Sequence, residues 1–128
     1  MKNILTIVFF IIASAISVSM NYQTDSALKF DEVIYDFGKI KQHKPVKHIF
    51  RFKNVSKVPA IIRNITTACG CTVPVYSNKP VMANEYGNIE ITYDAKALLL
   101  FNKTIIVMLS TEKTPLILNI KGEVVPES

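Results

Sequence analysis

Apolar residues in this chain recur at every second position. Val46, His48, Phe50 and Phe52 share one parity, and Lys47, Ile49, Arg51 and Lys53 the other. Ile89, Ile91 and Tyr93 alternate in the same way with Asn88, Glu90, Thr92 and Asp94, and Leu116, Leu118 and Ile120 with Ile117, Asn119 and Lys121. Period two marks strands with one buried face, and the β-branched and aromatic residues at these positions suit a pleated surface. Residues 30–35 and 37–40 form a first strand broken at Gly38. Pro59 opens a strand through Ile61, Ile62 and Ile65, and residues 101–109 make a longer one with Ile105, Val107 and Leu109 on one face. Turns fall at 54–57 and 111–115, and the helix-compatible stretch 95–100 is short enough to be a connection. With a further strand at 72–76, the pattern predicts an all-β, antiparallel β-sandwich of about seven strands. Phe37, Phe50, Phe52, Ile62, Ile91, Tyr93, Val107 and Leu118 are the expected core.

The N-terminus has another pattern. Lys2 precedes an uncharged apolar run over residues 4–12, and small residues come next at Ala13 and Ala15. This is the layout of a signal peptide over residues 1–19. Ala13-x-Ala15 satisfies the small-residue cleavage rule, and Ser17-x-Ser19 is the alternative. An uncleaved anchor would use residues 4–20, a span of 17 at the lower limit for crossing a bilayer, interrupted by Ser14, Ser17 and Ser19. Cleavage, leaving no stable membrane anchor, is therefore expected. No cysteine lies after the apolar run to carry a lipid. Such a chain is periplasmic or secreted, in an oxidising compartment. Residues 20–29 are a polar, flexible lead-in, and residues 30–125 form one domain, the number that 128 residues accommodate comfortably.

Composition and charge narrow the function classes. Hydrophobic residues make up 49%, which excludes a disordered chain. The formal charge is +5; without Lys2 the mature chain has 14 basic and 10 acidic side chains, or +4. Its densest basic run, Lys39, Lys41, Lys44, Lys47, Arg51 and Lys53, alternates with apolar residues. That is a solvated strand face and not the basic patch of a nucleic-acid binder. At most it attracts anionic surfaces weakly.

Cys69-Gly70-Cys71-Thr72 is the one motif with chemical potential. The spacing is too short for half of a zinc knuckle, and no second pair completes a site. Three states are open. Two thiolates are soft ligands for Cu(I), with His43 or His48 as an accessory ligand if the fold brings one near. A Cys69–Cys71 disulfide requires a bend, because Cα atoms two apart in an extended strand are about 6.6 Å apart, near the limit for a bridge. Two small side chains at a bend, bridged or not, are the plain alternative. His48 falls on the apolar face of its strand. The chain lacks a Gly-x-Ser-x-Gly elbow, a His-Glu-x-x-His motif and a phosphate loop. Asp31, Glu32, Asp36, Glu85, Glu90 and Asp94 could pair as acid and base, but Glu90 and Asp94 fall on the solvent face of their strand. Chance proximity is the better reading, and no catalytic residue and no enzyme is expected. Sequons at Asn54, Asn64 and Asn102 are taken as chance matches.

Five segments occur in a familiar order: Tyr35-Asp36-Phe37-Gly38-Lys39-Ile40, Phe50-Arg51-Phe52-Lys53-Asn54, Cys69-Gly70-Cys71-Thr72-Val73-Pro74, Gly87-Asn88-Ile89-Glu90-Ile91-Thr92-Tyr93-Asp94 and Ile120-Lys121-Gly122-Glu123-Val124. Over residues 30–124 the chain resembles a bacterial family of exported domains of unknown function with a Cys-Gly-Cys-Thr signature. That family is similar to the Ig-like modules of the Hydin, ASH and major-sperm-protein group. The resemblance implies an Ig-like sandwich and no established reaction. Two departures stand out. Ala83-Asn84 replaces the usual Pro-Gly before Glu85, and Asn tolerates the left-handed conformation that Gly supplies. His43 replaces a usual glycine, so that turn has room for another shape. The expected function is a non-catalytic structural or protein-interaction module of the bacterial cell envelope, with a protein partner and no cofactor. The alternative is a thiol–disulfide or copper site at Cys69 and Cys71.

Overall fold

The structure is a computed structural model that describes residues 26–127. The signal peptide assigned to residues 1–19, and positions 20–25 of the lead-in, lie outside the described residues. The described chain forms eight strands: β1 (Leu28–Phe30), β2 (Ile34–Lys41), β3 (Val46–Asn54), β4 (Ile62–Thr67), β5 (Thr72–Tyr76), β6 (Tyr86–Tyr93), β7 (Leu99–Leu109) and β8 (Leu116–Val125). They make two four-stranded sheets in the orders β1-β3-β6-β5 and β2-β8-β7-β4. Pairing is antiparallel except that β2 runs parallel to β8.

The alternating residues meet between the sheets. Phe50, Phe52, Ile89, Ile91 and Tyr93 of one sheet and Ile105, Val107, Leu118 and Ile120 of the other are all buried. Each such side chain contributes about 1.5–3 kcal/mol by leaving water. Phe37 departs from the expected core: it is half-buried. Its strand, β2, is an outer strand of its sheet. The ring therefore closes the side of the sandwich against Tyr35 at 4.8 Å and Phe101 at 6.4 Å.

The first strand is also two strands, and the break is not at Gly38. The chain leaves β1 at Asp31, crosses between the sheets through exposed Glu32 and Val33, and enters β2. Gly38, at φ 67°, instead makes an irregularity in the β2–β8 pairing between Asp36 and Lys39. The lead-in is shorter than its sequence assignment, because Leu28 is buried and pairs with Asn54. Both departures from the family pattern keep the backbone that glycine would supply: Asn84 has φ 66° and His43 φ 63°.

Candidate functional site

Three connections meet at one end of the sandwich. They are residues 42–45 after β2, 68–71 between β4 and β5, and 94–98 between β6 and β7. His43 N donates to Ala95 O at 2.9 Å, Gln42 Nε2 to Lys96 O at 2.9 Å and Asp94 N to Cys71 O at 2.9 Å. Ser26, where the described chain begins, bonds Glu112 in the β7–β8 turn at the opposite end.

The 68–71 connection carries Cys69 and Cys71, which are joined as a disulfide with Cα atoms 5.3 Å apart. That separation lies within the normal range for bridges. Thr67 Oγ1 sits inside the bend and shares its one hydrogen between Cys69 O at 3.0 Å and Thr72 O at 2.9 Å. The bend is thus held by hydrogen bonds on both sides of the sulfurs. Both cysteines are half-buried and Gly70 is exposed. Loop entropy assigns so short a ring only about 1–2 kcal/mol.

Neither histidine joins the two cysteines in a metal-sized cluster among the described residues, although the 42–45 turn that carries His43 is at the same end. His43 is exposed in its turn. His48 is tucked beneath the β1–β2 crossover, stacked on Tyr35 at 3.6 Å and bonded to Glu32 at 2.6 Å. The donor set a soft metal would find at the bend is the two sulfurs: among the described residues, no three His, Cys, Asp or Glu side chains gather closely enough to hold a metal ion.

Tyr93 closes the core beneath this end, stacked on Phe101 at 4.1 Å. Burial, and then the charge of neighbouring Asp94, raise its phenol pKa above the ordinary 10.0. The unfolded chain therefore ionises first as pH rises. Tyr93 contributes its full stability below about pH 10 and loses it as pH climbs through the raised folded value. Denaturation between pH 8 and 12 should show Tyr93→Phe losing less stability than wild type over that window; equal slopes would contradict this.

One surface feature escaped the sequence. Leu98, Leu99 and Leu100 are 45%, 73% and 82% exposed, and Leu99 has φ 81°. A bulky residue in left-handed backbone stores about 1–3 kcal/mol of strain, tolerated where the exposed group serves a purpose. Leu100 borders an open cleft of about 530 Å³ on the outer face of the β2-β8-β7-β4 sheet. Gly38, Gly122 and Phe101 lie along the cleft, and Asp36, Lys39, Lys121 and Glu123 frame it. Both signs of charge stand beside an aliphatic group, which suits a polypeptide segment better than a purely apolar ligand. The sequence marks none of these as site residues, since residues 95–100 read as a plain connection between strands. Strand addition at the β5 edge is less favoured. Asp94 pairs with Cys71 through its N–H, so by the two-residue period Thr72, Pro74 and Tyr76 face the open edge of β5. Pro74 has no N–H to offer there.

Two antiparallel-dominated sheets face to face, with the first strand switching between them, define an Ig-like β-sandwich. The chain belongs to the family described as Protein of unknown function (DUF1573), whose model matches residues 28–124. Solved structures with this fold include the ASH/PapD-like domain 7 of human CEP192, with TM-score 0.67 and 8% identity over 88% of this chain and 98% of that domain. A protein of unknown function from Porphyromonas gingivalis W83 has TM-score 0.65 and 15% identity over 80% of this chain. The matched part is 51% of that protein, so the chain spans about half its length. WR4, a major-sperm-protein family member of C. elegans, has TM-score 0.52 and 8% identity over 79% of this chain and 100% of that one. At these identities the likeness is one of fold. No curated protein matches the chain.

Proposed function

We propose that this chain is a non-catalytic protein-interaction module of the bacterial cell envelope. The observation that carries it is the exposed Leu98–Leu99–Leu100 run, held out by strained backbone beside a charged cleft. Exposed aliphatic groups of this kind mark contact surfaces, and loops on a rigid sandwich are where such domains recognise partners. The fold shared with ASH, PapD-like and major-sperm-protein domains supports an interaction role in general terms. The envelope assignment is supported by the leader pattern. The mature protein from its host should begin between Ile16 and Asn21; chains still carrying residues 1–10 in the membrane fraction would show an uncleaved anchor instead.

The test of the surface is a pulldown from envelope extract under non-reducing conditions. Wild type should retain a discrete partner in stoichiometric amount, and a Leu99→Ser/Leu100→Ser variant should lose it while unfolding at the same denaturant concentration or higher. A partner retained equally by both would place the contact elsewhere.

A further inference from the structure

The interaction surface leaves the cysteine pair unused, and the pair supports a second activity that does not depend on the leucine run. The geometry points to a thiol–disulfide exchange site, in which the Cys69–Cys71 disulfide accepts electrons from the thiols of a polypeptide, with Cys69 attacked and Cys71 leaving.

Three observations carry it. The bend does not depend on its disulfide: Thr67 Oγ1 ties Cys69 O to Thr72 O, and Asp94 N holds Cys71 O. Reduction therefore leaves the two thiols where they were, poised to close again. Gly70 is exposed, a Cβ built there meets nothing within 4 Å, and both flanking cysteines are only half-buried, so the bend is open to a macromolecule. The two sulfurs are also unequal. Thr72 is buried, and its hydroxyl lies 3.6 Å from Cys71 Sγ. A bridged sulfur carries no hydrogen, so Thr72 is the donor. That weak contact becomes a charge-assisted hydrogen bond once Cys71 is a thiolate. Stabilising one thiolate makes it the better leaving group. Thr72 is thus a positioning residue.

In the first step a partner thiolate attacks Cys69 Sγ, the Cys69–Cys71 bond breaks, and its electron pair stays on Cys71 facing Thr72. A second thiolate of the same polypeptide then attacks its own sulfur in the mixed disulfide and releases Cys69. One dithiol is oxidised to a disulfide, one disulfide is reduced to two thiols, and the two partner protons end on Cys69 and Cys71.

The test uses the protein purified oxidised from its host. It is exposed to reduced glutathione, or to a reduced unfolded polypeptide with two cysteines, then quenched in acid and mapped by mass spectrometry. Adducts should lie on Cys69 in both arms. Thr72→Val should slow exchange about tenfold, the scale of one hydrogen bond to a charged acceptor, and Thr72→Ser should restore it. Adducts on Cys71, or on both sulfurs equally, would overturn the assignment, as would a disulfide inert to both reagents. Exchange with glutathione alone would overturn the polypeptide substrate. Copper bound to the pair in the purified protein, with no disulfide, would replace exchange by metal binding. The adduct map on wild type decides the matter even if Thr72→Val does not fold.

Discussion

Phe52→Ala is expected to lower the unfolding free energy by about 3–5 kcal/mol, the range for removing a buried aromatic ring. Phe52 is 1% exposed and packs on Phe30 at 5.4 Å. It also lies directly across from Gly87 in the β3–β6 pairing. The ring covers the glycine: an alanine Cβ at position 87 would meet Phe52 Cε2 at 2.7 Å and Cε1 at 3.0 Å. The enclosed ring has nowhere to swing, so Gly87→Ala should cost about 1–3 kcal/mol by overpacking. The two effects should not add. On a Phe52→Ala background the space is already open, and Gly87→Ala should cost close to nothing. Urea titration of the four proteins in the cycle should give a coupling of about 1–3 kcal/mol. Additive losses would show that the ring and the glycine do not touch.

Asn54→Ala is expected to cost about 3 kcal/mol or more, an unusual penalty for a residue that reads as the start of a turn. Asn54 is fully buried at the end of β3. Its Nδ2 donates to Val58 O and Val81 O, both at 2.8 Å, and its Oδ1 accepts from Ser56 N at 3.0 Å and Ser56 Oγ at 2.7 Å. One side chain thereby joins β3, the turn after it and the segment before β6. Truncation breaks these four bonds at about 0.5–1.5 kcal/mol each and leaves a cavity where the fully buried amide sat. Asn54→Asp should be as damaging, because a carboxylate would face two carbonyl oxygens. Chemical denaturation of both variants checks this, and a loss below about 1 kcal/mol for Asn54→Ala would sink it. The same bonds occupy both Nδ2 hydrogens, so the Asn54 sequon is closed to glycosylation in the folded domain.

Much of the fold was legible because it rests on local periodicity. The parity of Phe50 and Phe52 in β3, of Ile91 and Tyr93 in β6, and of Leu118 in β8 placed these side chains in the core where they are found. Asn84 was legible through a residue type that tolerates φ > 0. The hidden features depend on contacts between distant segments. The crossover at 31–33 contains no Gly or Pro to announce it. The half-burial of Phe37 arises from the place of β2 at the margin of its sheet, which one strand's pattern does not encode. At the site, the Cys-Gly-Cys spacing called for a bend and Thr72 adjoins Cys71 in the chain, but Thr67 and Asp94 reach the backbone carbonyls of the bend only through the fold. Leu98–Leu100 was obscured because the stretch 95–100 reads as a connection, whereas Leu99 and Leu100 open β7 and stand exposed.

Docking of a partner protein on the leucine run is tested most directly by photo-crosslinking in living cells. A photoreactive residue is placed at Leu100 or, as a control on the opposite sheet, at Ile49, which is also exposed. Position 100 should yield one discrete adduct with an envelope protein, and position 49 should not. No adduct at position 100, or the same adduct at both positions, would contradict the proposal.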